Sequence, residues 1–141
     1  MHVDKTTLAR EFINLIPQAR ALQLEITEIR DGLAVIRMPY DEGLVGDPDT
    51  GVIHGGAVST LMDTCGGAAT MAHPSNPGGT ATISLRIDYL RAATPGQAIV
   101  ARAECHHVTR SVAFVRATAH DDDAENPVAT ATGTFTVEGA A

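Results

Sequence analysis

Much of this chain alternates apolar and polar residues with a period of two. Ile83, Leu85, Ile87 and Tyr89 sit opposite Ser84, Arg86, Asp88 and Leu90, and Ile99, Ala101, Ala103 and Cys105 opposite Val100, Arg102, Glu104 and His106. Ser111 to His120 forms another such run, and near the end Ala129, Ala131, Phe135 and Val137 face away from Thr130, Thr132, Thr134 and Thr136. This period predicts half-buried strands, joined by turns at Pro95-Gly96, Thr109-Arg110 and Asp121 to Pro127. Upstream, Leu24, Ile26 and Ile29 predict a strand with a change of phase. Asp31-Gly32 turns it into a second strand, Leu33 to Met38.

Two stretches break the alternation. Thr6 or Thr7 caps a predicted first helix that runs to about Ile16, with Leu8, Phe12, Ile13, Leu15 and Ile16 as its apolar face, and Pro17 stops or restarts it. The second stretch, Val52 to Ala69, reads as a long helix ending near His73-Pro74. Ala57, Val58, Leu61, Met62, Cys65, Ala68 and Ala69 cover so much of its circumference that no single solvent-facing stripe can be drawn, which predicts a largely buried helix. Pro39 to Gly51, rich in Asp, Gly and Pro, is the predicted loop before it. The sheet's apolar face and the buried helix each need the other. The expected fold is therefore α+β, one domain over residues 1–141 with an antiparallel sheet wrapped around one central helix.

Composition narrows the function classes. Hydrophobic residues at 44% against 19% charged residues are ordinary for a folded domain, so disorder is not expected. A net charge of −7 with no basic cluster argues against nucleic acid, while a few arginines can still hold one small anionic ligand. No run approaches the roughly 20 apolar residues that cross a bilayer, so no membrane partner and a cytoplasmic location are expected. Cys65 and Cys105 lack CxxC spacing and are expected as reduced core residues. Asp41, Glu42, Asp47 and Asp49 crowd one loop, yet no histidine or cysteine joins them at ligand spacing. They are expected as solvated turn residues, with no metal and no redox cofactor required.

The candidate chemistry lies on the long helix. Asp63 is a lone acid among apolar neighbours, a costly placement unless it is paired, hydrogen-bonded or used. A structural ion pair with Arg86 or Arg91 is the alternative reading. His54-Gly55-Gly56 puts two glycines at the first helical turn, where unpaired N–H groups and the positive end of the helix dipole suit a carbonyl oxygen gaining negative charge. Taken alone, His54 is read as a hydrogen-bonded neighbour of the turn. Gly55 and Asp63 are eight positions apart, about 12 Å of helix rise, too far for one helix to apply both to one carbon. Two antiparallel copies bring Gly55 of one subunit opposite Asp63 of the other, which predicts a site across a two-fold dimer interface.

Gly51-Val52-Ile53-His54-Gly55-Gly56, followed by Leu61, Asp63 and Gly67, resembles the helix of hotdog-fold acyl-CoA thioesterases of the phenylacetate-degradation (PaaI-type) group. Asp88-Tyr89-Leu90-Arg91 before Pro95-Gly96, Thr109-Arg110-Ser111 and the final Ala131-Thr132-Gly133-Thr134-Phe135 strand are similar to that family's later sheet. The resemblance implies a hotdog fold and hydrolysis of an acyl-CoA to a free acid and coenzyme A. Asp63 would then be nucleophile or general base, and the Gly55 N–H of the partner subunit would polarise the carbonyl. It further implies an orienting hydroxyl at Thr82, substrate contacts at Gly56, and coenzyme A contacts at Arg91, Arg110 and Ser111. His54 would orient the glycine turn. Such proteins are homo-oligomers, at least dimers, with tetramers common. Related enzymes carry an asparagine six residues before the histidine. Pro48 stands there in this chain, so that Asp47, Asp49 or Thr50 takes over its contact or the contact is absent.

Met62, Met71, Leu44 and Val45 are the expected wall of an acyl pocket. Two other readings stand beside hydrolysis: acyl-thioester hydratase or dehydratase chemistry on the same fold, and a non-catalytic acyl-CoA-binding module. The first uses a histidine and acid in a different motif. The second has no need of an acid at position 63.

Overall fold

A computed structural model describes residues 4–76 and 78–138. Among them, eight strands and three α-helices follow one another in the order α1 (Lys5–Leu15), α2 (Pro17–Ala21), β1 (Glu25–Arg30), β2 (Leu33–Met38), β3 (Val45–Asp47), β4 (Val52–Ile53), α3 (Gly55–Ala72), β5 (Thr82–Tyr89), β6 (Ile99–Val108), β7 (Val112–His120) and β8 (Ala129–Thr136), with a short 3-10 helix at Glu42–Leu44 before β3. Six strands form one antiparallel sheet in the order β1-β2-β6-β7-β8-β5, and β3 and β4 pair separately. The sheet wraps around α3, the α+β hotdog arrangement that the resemblance implies.

Small side chains let the helix sit close to the sheet. Ala34, Ala101, Ala103 and Ala113 are fully buried opposite Leu61, Cys65, Ala68 and Ala69, which are equally inaccessible. The Cys65 thiol reaches the carbonyl oxygens of Ala34 at 3.3 Å and Ala101 at 3.5 Å. A Cβ on Gly66 would lie 2.8 Å from the Phe135 ring, so glycine is what lets that ring lie on the helix. Both cysteines are buried and unpaired. Burial pushes the Cys65 thiol up to about 12 and the Cys105 thiol upward as well, so neither is a ready nucleophile.

Several sequence expectations change in detail. Val52–Ile53, expected as the start of the long helix, is instead a short strand paired with β3, which lies in the expected loop; the helix starts at Gly55 because His54 holds an extended conformation as its N-cap. Helix α1 begins at Lys5, so Thr6 and Thr7 lie inside it and not at its cap. Its apolar residues divide: Ile13 is buried with Ala9, whereas Leu8, Phe12 and Leu15 point outward. The phase change in β1 is a bulge between Ile26 and Glu28. Among the described residues no helix is long and apolar enough to cross a membrane.

An ion pair closes the sheet's far end. Arg91 donates to both carboxylate oxygens of Asp121 at 2.7 Å, and Asp121 also accepts from the Thr94 N–H, the Thr94 hydroxyl and the Asp123 N–H. The remaining Arg91 donors go to the carbonyls of Asn126 and Ala92. The Arg91 guanidinium holds the Asp121 carboxyl far below the usual carboxylate range, outweighing the opposite effect of burial. A depressed folded-state pKa contributes stability above the unfolded value, about 3.9, and loses it as pH falls below that value. Thermal melts of the native protein and Asp121→Asn are therefore expected to differ by a constant gap from about pH 7 to about pH 4, and by a narrowing gap below it. A gap that persists unchanged into acid would assign the stabilisation to something other than the charge.

Candidate active site

The start of α3 is built around one free N–H group. His54 caps the helix, its Nδ1 accepting the Gly56 N–H at 2.8 Å, while its carbonyl accepts the Ala57 N–H at 3.0 Å. Among the described residues nothing accepts the Gly55 N–H. It is thus the one first-turn donor left for a ligand, at the positive end of an 18-residue helix. The Gly56 N–H, a candidate substrate contact, is already taken by His54.

Glycine at these positions has separate causes. A Cβ on Gly56 would meet the His54 ring at 2.9 Å, so the cap itself requires glycine there. At Gly55 the nearest atoms to such a Cβ are those of the Tyr89 ring at 3.5 Å, an ordinary contact. Among the described residues no contact demands glycine at position 55. Gly55 also borders a cavity that has room for an approaching group.

Asp63 lies just over two turns further along, and it is half-buried, not enclosed. A stripe of Thr60, Asp63, Thr64, Gly67 and Met71 is partly exposed along α3, where the apolar count predicted none; Thr60, Asp63 and Thr64 supply the polar surface, and Gly67 is too small to cover it. The Thr82 hydroxyl donates to Asp63 Oδ1 at 2.6 Å, which brings together two of the predicted residues. No cation pairs with Asp63 among the described residues: Arg86 faces Asp88 at 3.4 Å and Arg91 is held by Asp121. The structural ion pair offered as the alternative for Asp63 is absent there.

Asp63 and Thr82 open into a cavity of about 230 Å³ walled by Ile13, Ile16 and Phe135. Gly55 borders a different one, of about 290 Å³, with Tyr89, Leu90 and Val58. The two share no residue, so one chain does not bring the N–H and the carboxylate to a common space. A larger hollow of about 630 Å³ lies among Arg86, His106, Phe114 and Arg116 and contains neither group. Met62, expected on the acyl wall, is fully buried in the core, while Leu44 and Val45 line a cavity beside His54 and Gly56.

The predicted coenzyme A contacts fare differently. All five N–H groups of Arg91 are spent on Asp121, Asn126 and Ala92, which leaves it no donor for a phosphate; its place is structural. Arg110 and Ser111 are exposed on the β6–β7 turn. In the loop where the asparagine is missing, Asp47 accepts from the Thr50 hydroxyl at 2.8 Å and the Asp49 N–H at 3.0 Å, and Asp41 accepts from the Gly43 N–H at 2.8 Å. These acids serve their own turns.

Sequence reasoning missed three residues. The Tyr89 hydroxyl donates to the Gly55 carbonyl at 2.8 Å and meets the Ser59 hydroxyl, which itself reaches that carbonyl at 3.1 Å. Gly46 packs against the cap: a Cβ there would lie 2.8 Å from His54 Cα. Alternation marks Tyr89 only as an apolar strand position, and nothing local points Gly46 at His54.

A family model described as thioesterase superfamily matches residues 50–128. A Halobacterium salinarum protein named as a candidate esterase is 33% identical over 93 residues, 64% of this chain and 62% of that protein. The chain thus spans under two thirds of that relative. A Salmonella typhimurium protein named medium/long-chain acyl-CoA thioesterase YigI is 27% identical over 139 residues, 89% of this chain and 88% of that one. The structure of the Escherichia coli PaaI protein of the phenylacetic acid degradation operon superposes with a TM-score of 0.84 at 21% identity, covering 96% of this chain and 94% of that chain, a likeness of fold.

The packing of Gly46 on His54 has a measurable consequence. His54→Ala removes one side-chain cap, a loss of about 1 kcal/mol. Gly46→Ala forces backbone apart at the same place and is expected to cost at least as much, about 1–3 kcal/mol, in urea unfolding. An unchanged midpoint for Gly46→Ala would mean the loop moves freely away from the helix start.

Proposed function

The chain belongs to the thioesterase superfamily, and we propose that it hydrolyses an acyl-CoA thioester to a free acid and coenzyme A. The observation that carries this reading is the pairing of an unspent N–H at the start of α3 with an ionisable carboxylate further along the same helix, steadied by the Thr82 hydroxyl from β5. The Gly55 N–H, reinforced by the helix dipole, donates to the thioester oxygen as it becomes anionic, a contact worth roughly 3–4 kcal/mol of barrier. Asp63 attacks the carbonyl carbon to give an anhydride that water opens, or takes a proton from water as the water attacks. In either route the C–S bond breaks and the coenzyme A thiolate leaves to be protonated. Thr82 fixes the carboxylate, and His54 holds the glycine turn.

The two groups meet across a dimer. Strand β5 forms one edge of the sheet and exposes Ile83 and Tyr89, with Leu90 exposed just after it. The other edge, β1, is blunted by Glu25, Glu28 and Arg30 and by its bulge. Thr82, which holds Asp63, is the first residue of β5, and Tyr89, which holds Gly55, is the last. Antiparallel pairing of two β5 strands about their midpoint sets Thr82 of one copy beside Tyr89 of its partner. Asp63 then faces the partner's Gly55, and each dimer has two such sites.

Arg110 and Ser111 supply donors for the coenzyme A phosphates, with Arg110→Ala raising KM more than it lowers kcat. Ile13, Ile16 and Phe135 form the apolar wall near Asp63. The Salmonella relative's name makes medium and long acyl chains the first substrates to try.

Thiol release measured across an acyl-CoA panel tests the reaction. Asp63→Asn and Asp63→Ala are expected to remain folded and lose turnover; full activity in either removes Asp63 from the mechanism. Gly55→Pro removes the N–H and puts ring carbon in its place, at a position where proline suits a helix, and is expected to lower kcat by at least roughly 10²–10³. Mixing Asp63→Ala with Gly55→Pro subunits is decisive for the dimer. A heterodimer regains one intact site and roughly half the native activity if the site spans two subunits. If each chain is self-sufficient, nothing is regained.

A further inference from the structure

We propose that Tyr89, seconded by Ser59, is a positioning residue that aims the Gly55 N–H at the reacting carbonyl oxygen. The inference rests on the thioesterase reading and adds a part to it. Two consecutive glycines at a helix start are conformationally loose, because neither has a Cβ to restrict φ and ψ. An oxyanion donor needs the opposite property, since a preorganised N–H contributes only if it is already aimed when charge develops.

The peptide unit joining Gly55 to Gly56 is held at both ends. Its carbonyl accepts from Tyr89 at 2.8 Å, and the Ser59 hydroxyl, hydrogen-bonded to the Tyr89 hydroxyl, lies 3.1 Å from the same oxygen. Its N–H donates to His54 at 2.8 Å. The Tyr89 ring lies 3.5 Å from the position of a Gly55 Cβ, covering one side of the residue. The preceding peptide plane, which carries the Gly55 N–H, is tied through the His54 carbonyl to the Ala57 N–H at 3.0 Å. With the planes on both sides of the Gly55 Cα held, φ and ψ there are fixed and the N–H keeps one direction. Tyr89 does not touch the substrate in this account. It replaces, from the end of β5, the stiffness that a side chain at position 55 would have given while leaving the approach to the N–H clear.

Tyr89→Phe keeps the ring contact and removes only the hydroxyl. Expected is a fall in kcat of about tenfold with KM changed by less than about twofold, and a smaller effect for Ser59→Ala. The double variant is expected to fall little below Tyr89→Phe, because both act on one carbonyl. Independently of turnover, NMR order parameters of the Gly55 and Gly56 amides are expected to drop in Tyr89→Phe from rigid values near about 0.85. Thiol release with kcat unchanged, or unchanged order parameters, overturns this inference alone. No thiol release by the native protein overturns the thioesterase reading and this role with it.

Discussion

Everything at the site depends on how closely α3 sits on the sheet. Alanines line the contact, the Cys65 thiol touches two strand carbonyls, and Gly66 admits the Phe135 ring. Interiors packed this tightly tolerate little displacement in either direction. The seating determines which side of the helix looks outward. It leaves Thr60, Asp63 and Gly67 partly uncovered and brings α3 alongside β5, so that each strand end meets one functional group.

Strand β5 is therefore more than an edge. It carries the hydroxyl that steadies Asp63 at one end and the hydroxyl that fastens the Gly55 carbonyl at the other. A shift of the strand along the sheet would move both together. Its register against β8, from Thr82 opposite Phe135 to Tyr89 opposite Ala129, thus governs the site as well as the sheet. The Arg91–Asp121 clamp follows directly after β5 and anchors the chain where it leaves the strand. An arginine that sequence reasoning gave to the ligand instead holds the frame.

The helix start shows a division of labour between flexibility and restraint. Gly56 makes room for the histidine ring that caps the helix, and Gly55 keeps the approach to a bare N–H open. The freedom that glycine brings is removed from outside, by His54 on one edge of the peptide and by Tyr89 and Ser59 on the other. His54 and Ser59 restrain it locally, and Tyr89 adds a restraint from a distant segment.

The α+β hotdog order of elements, the phase change in β1 and the placing of Asp63 and the glycine pair on one long helix were legible along the chain, because periodicity, turn residues and a lone acid are local signals. The spacing of Gly55 and Asp63 likewise made separate locations an expectation, and in the structure they border different cavities. Partnerships were not legible. Thr82 was named through family resemblance as an orienting hydroxyl, and its bond to Asp63 emerged only in the structure. That Tyr89 would reach Gly55, that Gly46 would press on His54, and that Arg91 would spend every donor on Asp121 and two carbonyls depended on contacts across many residues of sequence. The exposed stripe of α3 was hidden for a similar reason: composition counts alanine and glycine as apolar, but only packing against a particular sheet decides which of them are covered.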